Sequence, residues 1–137
     1  MSSAPSTVPG PASTLTGSWT GTANDSQGAT TVTWTLTQTG SDATGTVKTN
    51  AVNPDDGSCN SCHRNKSGTF IGTVTGSAMT LKMAFAAGID GDPTPACTAT
   101  MTGTASADGT DKWMVTYSGS DSCEGQFLNG TLTMARR

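Results

Sequence analysis

The residues best suited to chemistry in this 137-residue chain are its four cysteines and its single histidine. Cys59 and Cys62 stand three positions apart in the stretch CNSCH, and His63 follows at once. This spacing is typical of covalent haem attachment, in which two thiols bond to the porphyrin vinyl groups and the adjacent imidazole ligates the iron. The motif therefore predicts a haem c bound through Cys59 and Cys62, with His63 as the metal ligand.

Disulfide formation is the alternative chemistry for the same thiols. Four cysteines allow three pairings, and we expect Cys97 to pair with Cys123 because both fall near the same end of the predicted strands. Cys59 and Cys62 could then close a local disulfide or carry haem. Cross-pairing of the two sets would exclude haem altogether.

The elements that must position these residues are strands. From Leu15 onward, apolar and polar residues alternate with a period of two, which predicts half-buried strands. Turn sequences rich in Gly, Ser, Asn and Asp separate most of the segments, so consecutive strands are expected to be antiparallel. The predicted strands cover 15–23, 30–38, 43–49, 67–75, 78–85, 96–105, 112–118 and 127–136.

Eight such strands predict an all-β fold, an eight-stranded antiparallel up-and-down β-barrel, as the domain 14–137. A two-sheet β-sandwich is the alternative that alternation leaves open. Residues 1–13 are rich in Pro, Ser and Ala and are expected to be a disordered tether. In the barrel, connections alternate between the two ends. The cysteines therefore fall at or beside one end, the mouth, where the loops 24–29, 50–66, 87–95 and 119–125 meet.

A short motif adds a resemblance to a known family. Residues 17–19 read Gly-Ser-Trp on the first strand, and Arg136 ends the last strand on its inward face. This arrangement resembles the calycin barrels (lipocalins and avidins), in which a Gly-x-Trp packs near an arginine of the final strand. The resemblance implies that Trp19 and Arg136 close one end of the barrel by stacking, and that the mouth is the open end.

The inward faces of the strands supply the remaining candidate residues. Met83 and Met101 face inward near the mouth and are candidates for a sixth haem ligand. The inward glycines are expected to leave room inside the barrel. A mostly apolar ligand pocket is then predicted to be lined by Trp34, Leu36, Phe70, Phe85, Met101 and Tyr117.

Composition limits the partners and the chemistry. The net charge of -3 offers no basic stripe for nucleic acid, and no apolar stretch is long enough for a membrane-spanning helix. The stretch GIDGDP, which contains Asp90 and Asp92, lacks EF-hand spacing, so calcium is not expected. We expect no enzymatic activity, because the single histidine has no evident catalytic partner.

We therefore predict an exported haem c protein, periplasmic or extracellular, that transfers one electron to a redox partner or binds a small ligand at its haem. Four cysteines in a chain of low charge favour an oxidising compartment. One alternative is a disulfide-stapled, calycin-like module without haem that binds a small apolar ligand. Another is a structural domain of an envelope lipoprotein whose N-terminal lipid anchor precedes this sequence. The oligomeric state does not follow from these patterns.

Overall fold

The computed structural model describes residues 14–26, 28–51, 66–85, 98–122 and 125–137, and within these ranges it contains strands and no helix. The strands are β1 (Gly17–Asp25), β2 (Gly28–Thr39), β3 (Asp42–Ala51), β4 (Lys66–Thr75), β5 (Ala78–Phe85), β6 (Ala99–Ala107), β7 (Lys112–Asp121) and β8 (Gly125–Arg136).

Each strand pairs with the next in antiparallel fashion, and β8 pairs with β1, so the sheet closes into a barrel. The predicted eight-stranded up-and-down barrel is thereby confirmed. The two-sheet sandwich is excluded because the ladder of backbone hydrogen bonds runs around the barrel without an edge.

The alternating pattern of the sequence fills the barrel interior. In β2, Val32, Trp34 and Leu36 are buried, and the threonines between them lie on the outer face. The other strands repeat this arrangement, so one continuous apolar core occupies the interior.

The inward glycines do not leave the room that the sequence suggested. A Cβ atom on Gly45 would lie 2.0 Å from the carbonyl oxygen of Thr35, and one on Gly130 would lie 2.5 Å from the ring of Tyr117. Glycine is required at these positions because the neighbouring strand or ring approaches too closely for a side chain. The space is therefore occupied by backbone and by Tyr117.

A β-bulge changes the faces of β8. Tyr117 pairs with Gly130 but Gly119 pairs with Phe127, so β8 carries one extra residue there. Asn129 adopts a left-handed conformation with φ of 56° at this point. As a result Phe127 is buried and Leu128 is 48% exposed. Strict alternation over 127–136 predicts that Leu128 faces inward with Gly130 and Arg136, and this is wrong because the bulge inverts the alternation.

The up-and-down order gives the barrel two distinct ends. The mouth is the end of the barrel at which the chain passes from β1 to β2, from β3 to β4, from β5 to β6 and from β7 to β8. The closed end carries the turns at 40–41, 76–77 and 108–111 together with the end of β8. The predicted tether 1–13 and the residues Cys59, Cys62, His63, Cys97 and Cys123 lie outside the described residues.

Candidate functional site

At the closed end, Arg136 lies over Trp19, with its guanidinium carbon 4.3 Å from the ring centroid. The same guanidinium donates to the carbonyl oxygens of Thr16 at 3.0 Å and Thr14 at 2.7 Å, and to the Asp111 carboxylate at 3.0 Å. These hydrogen bonds join the end of β8 to the segment before β1 and to the turn before β7. This is the geometry that the calycin resemblance implied for Trp19 and Arg136.

The segment before β1 completes this closure. Leu15 is buried in the core, and its carbonyl oxygen accepts a hydrogen bond of 2.9 Å from Trp19 Nε1. The backbone nitrogen of Leu15 donates to the side-chain oxygen of Gln38 at 2.8 Å. Side-chain packing and hydrogen bonds together seal the closed end.

The mouth end buries an ion pair inside the barrel. Lys66 is the first residue of β4, and Asp121 is the last residue of β7. The distance from Lys66 Nζ to Asp121 Oδ2 is 3.2 Å. Their side chains are 2% and 0% exposed, respectively. β4 and β7 are not neighbours in the sheet, so this contact crosses the interior. Both charges are desolvated, which is costly unless each is compensated.

A second polar contact spans another part of the interior. Tyr117 of β7 donates its hydroxyl to Oδ2 of Asp25, the last residue of β1, at 2.5 Å. Burial, followed by the hydrogen bond to Asp25 and its negative charge, raises the pKa of Tyr117 well above its ordinary value. Tyr117 is therefore a neutral donor at physiological pH.

Two buried threonines add hydroxyl groups to the same end. Thr30, near the start of β2, is fully buried and donates from Oγ1 to the carbonyl oxygen of Asn50 at 3.0 Å. Thr49 of the neighbouring strand β3 is also buried. The described interior at the mouth thus combines charged, phenolic and hydroxyl groups with apolar ones.

The residues predicted to line a ligand pocket all face the interior. Each of these residues is at least nine-tenths buried, and they are Trp34, Leu36, Phe70, Phe85, Met101 and Tyr117. The rings of Trp34 and Phe70 are in contact, with centroids 4.8 Å apart and planes inclined by 55°. Among the described residues, Trp34 Nε1 is the buried side-chain polar atom without a hydrogen-bond partner.

The two candidate axial ligands lie side by side. Met83 of β5 pairs with Met101 of β6, and both are buried. Their predicted partners, Cys59, Cys62 and His63, lie outside the described residues, so the haem ligand set stays a prediction. Asp90 and Asp92 also lie outside. Within the described ranges, no group of three or more His, Cys, Asp or Glu side chains could hold a metal ion.

The buried Lys66 and Asp121, and the half-buried Asp25 that bonds to Tyr117, were not predicted as interior residues. Strand parity contained the signal, since Lys66 shares its face with Gly68 and Phe70, and Asp121 shares its face with Tyr117. These residues were read as parts of connecting loops because charged side chains are rarely buried. The strands instead extend far enough to carry them inside.

Comparison with known proteins supports the fold. No family model matches the chain, and no curated protein matches it. A redesigned β-barrel, b11L5F_LGL, is similar with a TM-score of 0.59 and 16% identity, over 90% of this chain and 91% of that one. The redesigned barrel mFAP1 bound to DFHBI gives 0.60 and 16%, over 89% and 94%. EF1p2_mFAP2b bound to DFHBI gives 0.64 and 14%, over 90% and 94%.

At these identities the likeness establishes the barrel fold alone. No helix in the part of the chain that the structure describes is long and apolar enough to cross a membrane.

Proposed function

We propose that this chain is a calycin-like binding module that takes a small ligand through its mouth and performs no covalent chemistry on it. The observation that carries the proposal is the buried pair of Lys66 and Asp121 at the mouth end of a mostly apolar core. Ligand sites in barrels typically combine apolar walls with a few placed polar groups at one end.

Burying Lys66 and Asp121 costs free energy because both charges lose their hydration. An apolar pair of similar volume is often as stabilising as a buried ion pair, or more so. Stability alone therefore gives little reason for Lys66 and Asp121 to be charged. We infer that the pair is retained because it contacts the ligand or sets the shape of the ligand site.

Two further observations support a calycin-like module. The contacts of Arg136 with Trp19 close the opposite end in the way that the family resemblance implies. In addition, two similar barrels hold the small-molecule dye DFHBI. A barrel of this architecture can therefore accommodate a compound of that kind. We propose a periplasmic or extracellular location, where the four cysteines can be oxidised.

A fluorescence titration tests this function. PRODAN, a neutral naphthalene dye with one ketone, is titrated into the full chain and into the variant Lys66→Met/Asp121→Leu. We expect saturable binding by the natural chain and binding weaker by about tenfold in the double variant, a difference of about 1.4 kcal/mol. Lys82→Met removes an exposed lysine of β5 and is the matched control. The absence of saturable binding, or equal affinities in all variants, would refute the proposal.

Covalent haem is a second candidate function. It is favoured by the CNSCH motif. The segment that contains this motif connects β3 to β4, and β3 ends and β4 begins at the mouth. Cys59 and Cys62 would hold the haem, and His63 would bind its iron, for electron transfer or for binding a small ligand. The buried Met83 and Met101 would supply an apolar wall or a sixth ligand.

The state of the cysteines decides between the two candidates. The register of β6 and β7 pairs Ala99 with Asp121, and backbone hydrogen bonding continues from Ser122 to Thr98 at 2.8 Å. Thr98 and Ser122 are the sequence neighbours of Cys97 and Cys123, which supports a disulfide between these two cysteines. Peptide mapping after export through a host that matures cytochromes c is the test. A Soret band with haem mass on Cys59 and Cys62 supports haem, and two disulfides exclude it.

A further inference from the structure

Two tryptophans at paired positions differ in one hydrogen bond. Trp19 of β1 and Trp34 of β2 stand opposite each other, and both are fully buried. Trp19 Nε1 donates to the carbonyl oxygen of Leu15, but Trp34 Nε1 has no partner. Nearly all buried polar groups in proteins have a partner, and an unmet donor is costly. The indole N–H of Trp34 is therefore available to an acceptor.

The surroundings of Trp34 determine what acceptor would suit it. Its strand partners include Val47, and its ring contacts Phe70. A charged acceptor would lose its hydration among these apolar groups without compensation, whereas a neutral oxygen would lose little. The acceptor that fits is a ketone, ester or ether oxygen on an apolar frame.

Adaptable side chains connect Trp34 with the residues nearer the mouth. Phe70 pairs with Met83, and Met83 pairs with Met101. Methionine is unbranched and can repack at low cost. Displacement of these methionine side chains is the route by which a ligand from the mouth would reach the Trp34 indole.

We infer that Trp34 is the specificity-determining donor of the barrel interior, and that the ligand is an apolar molecule with one neutral oxygen acceptor. This inference rests on the proposed function, since it requires a ligand that enters through the mouth. The Trp34 Nε1 hydrogen then bonds to the oxygen of the ligand, and the rest of the ligand packs against Phe70 and the methionines.

The test compares two dyes on three proteins. PRODAN carries a ketone, and dimethylaminonaphthalene has the same ring system without it. We expect the natural chain to bind PRODAN about tenfold more tightly than the ketone-free dye. Trp34→Phe should abolish that preference while still binding the ketone-free dye. Trp19→Phe, which removes a tryptophan whose N–H is already bonded, is the matched control and should keep the preference.

The outcomes separate the two proposals. Equal binding of both dyes by the natural chain overturns the role of Trp34 and leaves the binding function intact. Binding of neither dye overturns both. Because Trp34→Phe could fold poorly, the natural chain is also examined by NMR. The indole N–H resonance of Trp34 should move downfield with PRODAN but not with the ketone-free dye. An equal shift with both dyes contradicts the inference. It would mean that the shift arises from a fixed contact with Phe70 or from a retained water, and not from the ketone.

Discussion

The two ends of the barrel place charge in contrasting surroundings. At the closed end, the Arg136 side chain remains 26% exposed and its partner Asp111 is 72% exposed. At the mouth end, Lys66 and Asp121 are almost completely removed from solvent. Water screens the first pair and leaves the second nearly unscreened. Removing one charge should therefore cost more stability at the mouth than at the closed end. The arginine therefore serves closure of the barrel, whereas the buried lysine depends on its interior partner for compensation of its charge.

The largest loss of stability should come from removing the Trp19 ring, which packs against Arg136 at the closed end. Trp19→Ala deletes a fully buried indole, its hydrogen bond to Leu15 and the surface under Arg136. We expect a loss of about 3–5 kcal/mol in the free energy of unfolding, measured by urea denaturation. The control Thr22→Ala changes an exposed residue of the same strand and should cost less than about 0.5 kcal/mol. A loss below about 1 kcal/mol for Trp19→Ala would contradict this account of the closed end.

The mouth should be nearly as sensitive to the loss of one charge. Lys66→Met leaves the Asp121 carboxylate buried without its ammonium partner, and we expect a loss of about 3 kcal/mol. Adding Asp121→Leu should restore most of that stability because no uncompensated charge remains. Thermal unfolding of the single and double variants measures the difference. If the double variant were no more stable than Lys66→Met, the two side chains would not be coupled.

An alkaline titration examines the other polar contact near the mouth. The pKa of Tyr117 is higher in the folded chain than its ordinary value of 10.0, first because of burial and then because of Asp25. Its contribution to stability is therefore complete below about pH 10 and is lost above it, since the unfolded chain releases the proton and the folded chain keeps it. The slope attributable to this proton approaches about 1.4 kcal/mol per pH unit.

Tyr117→Phe should remove that part of the slope. Tyr117 is the single tyrosine of the chain, so the phenolate absorbance reports its ionisation directly. Ionisation of the folded protein at the ordinary pKa would refute the assignment.

The smallest effect should come from the exposed pair at the closed end. Asp111→Asn removes the negative charge beside Arg136 but leaves Trp19 and the carbonyl oxygens of Thr14 and Thr16 in place. We expect a loss of at most about 0.5–1 kcal/mol, which should shrink further at high salt. The midpoint of urea unfolding at two salt concentrations checks both statements. A loss as large as that of Lys66→Met would erase the distinction between the two ends.

Much of the barrel could be predicted because strand alternation is a local property. The eight strands and their order followed from period-two patterning and mostly short connections. The inward placement of Trp34, Phe70 and Tyr117 followed from the same parity. The bulge at Asn129 did not follow from this patterning. One inserted residue in β8 reverses its inward and outward faces only because the partner strand β7 keeps the normal spacing. Leu128 and Phe127 exchanged faces for that reason.

The sequence by itself determined which residues alternate and how many strands form, because both depend on neighbours along the chain. Only the tertiary structure decided that Lys66 meets Asp121 across the interior and that Tyr117 reaches Asp25. It also decided that the ring of Tyr117 covers Gly130. These contacts join strands whose separation is set by register and closure, and both arise from pairing over the whole sheet rather than from any single segment.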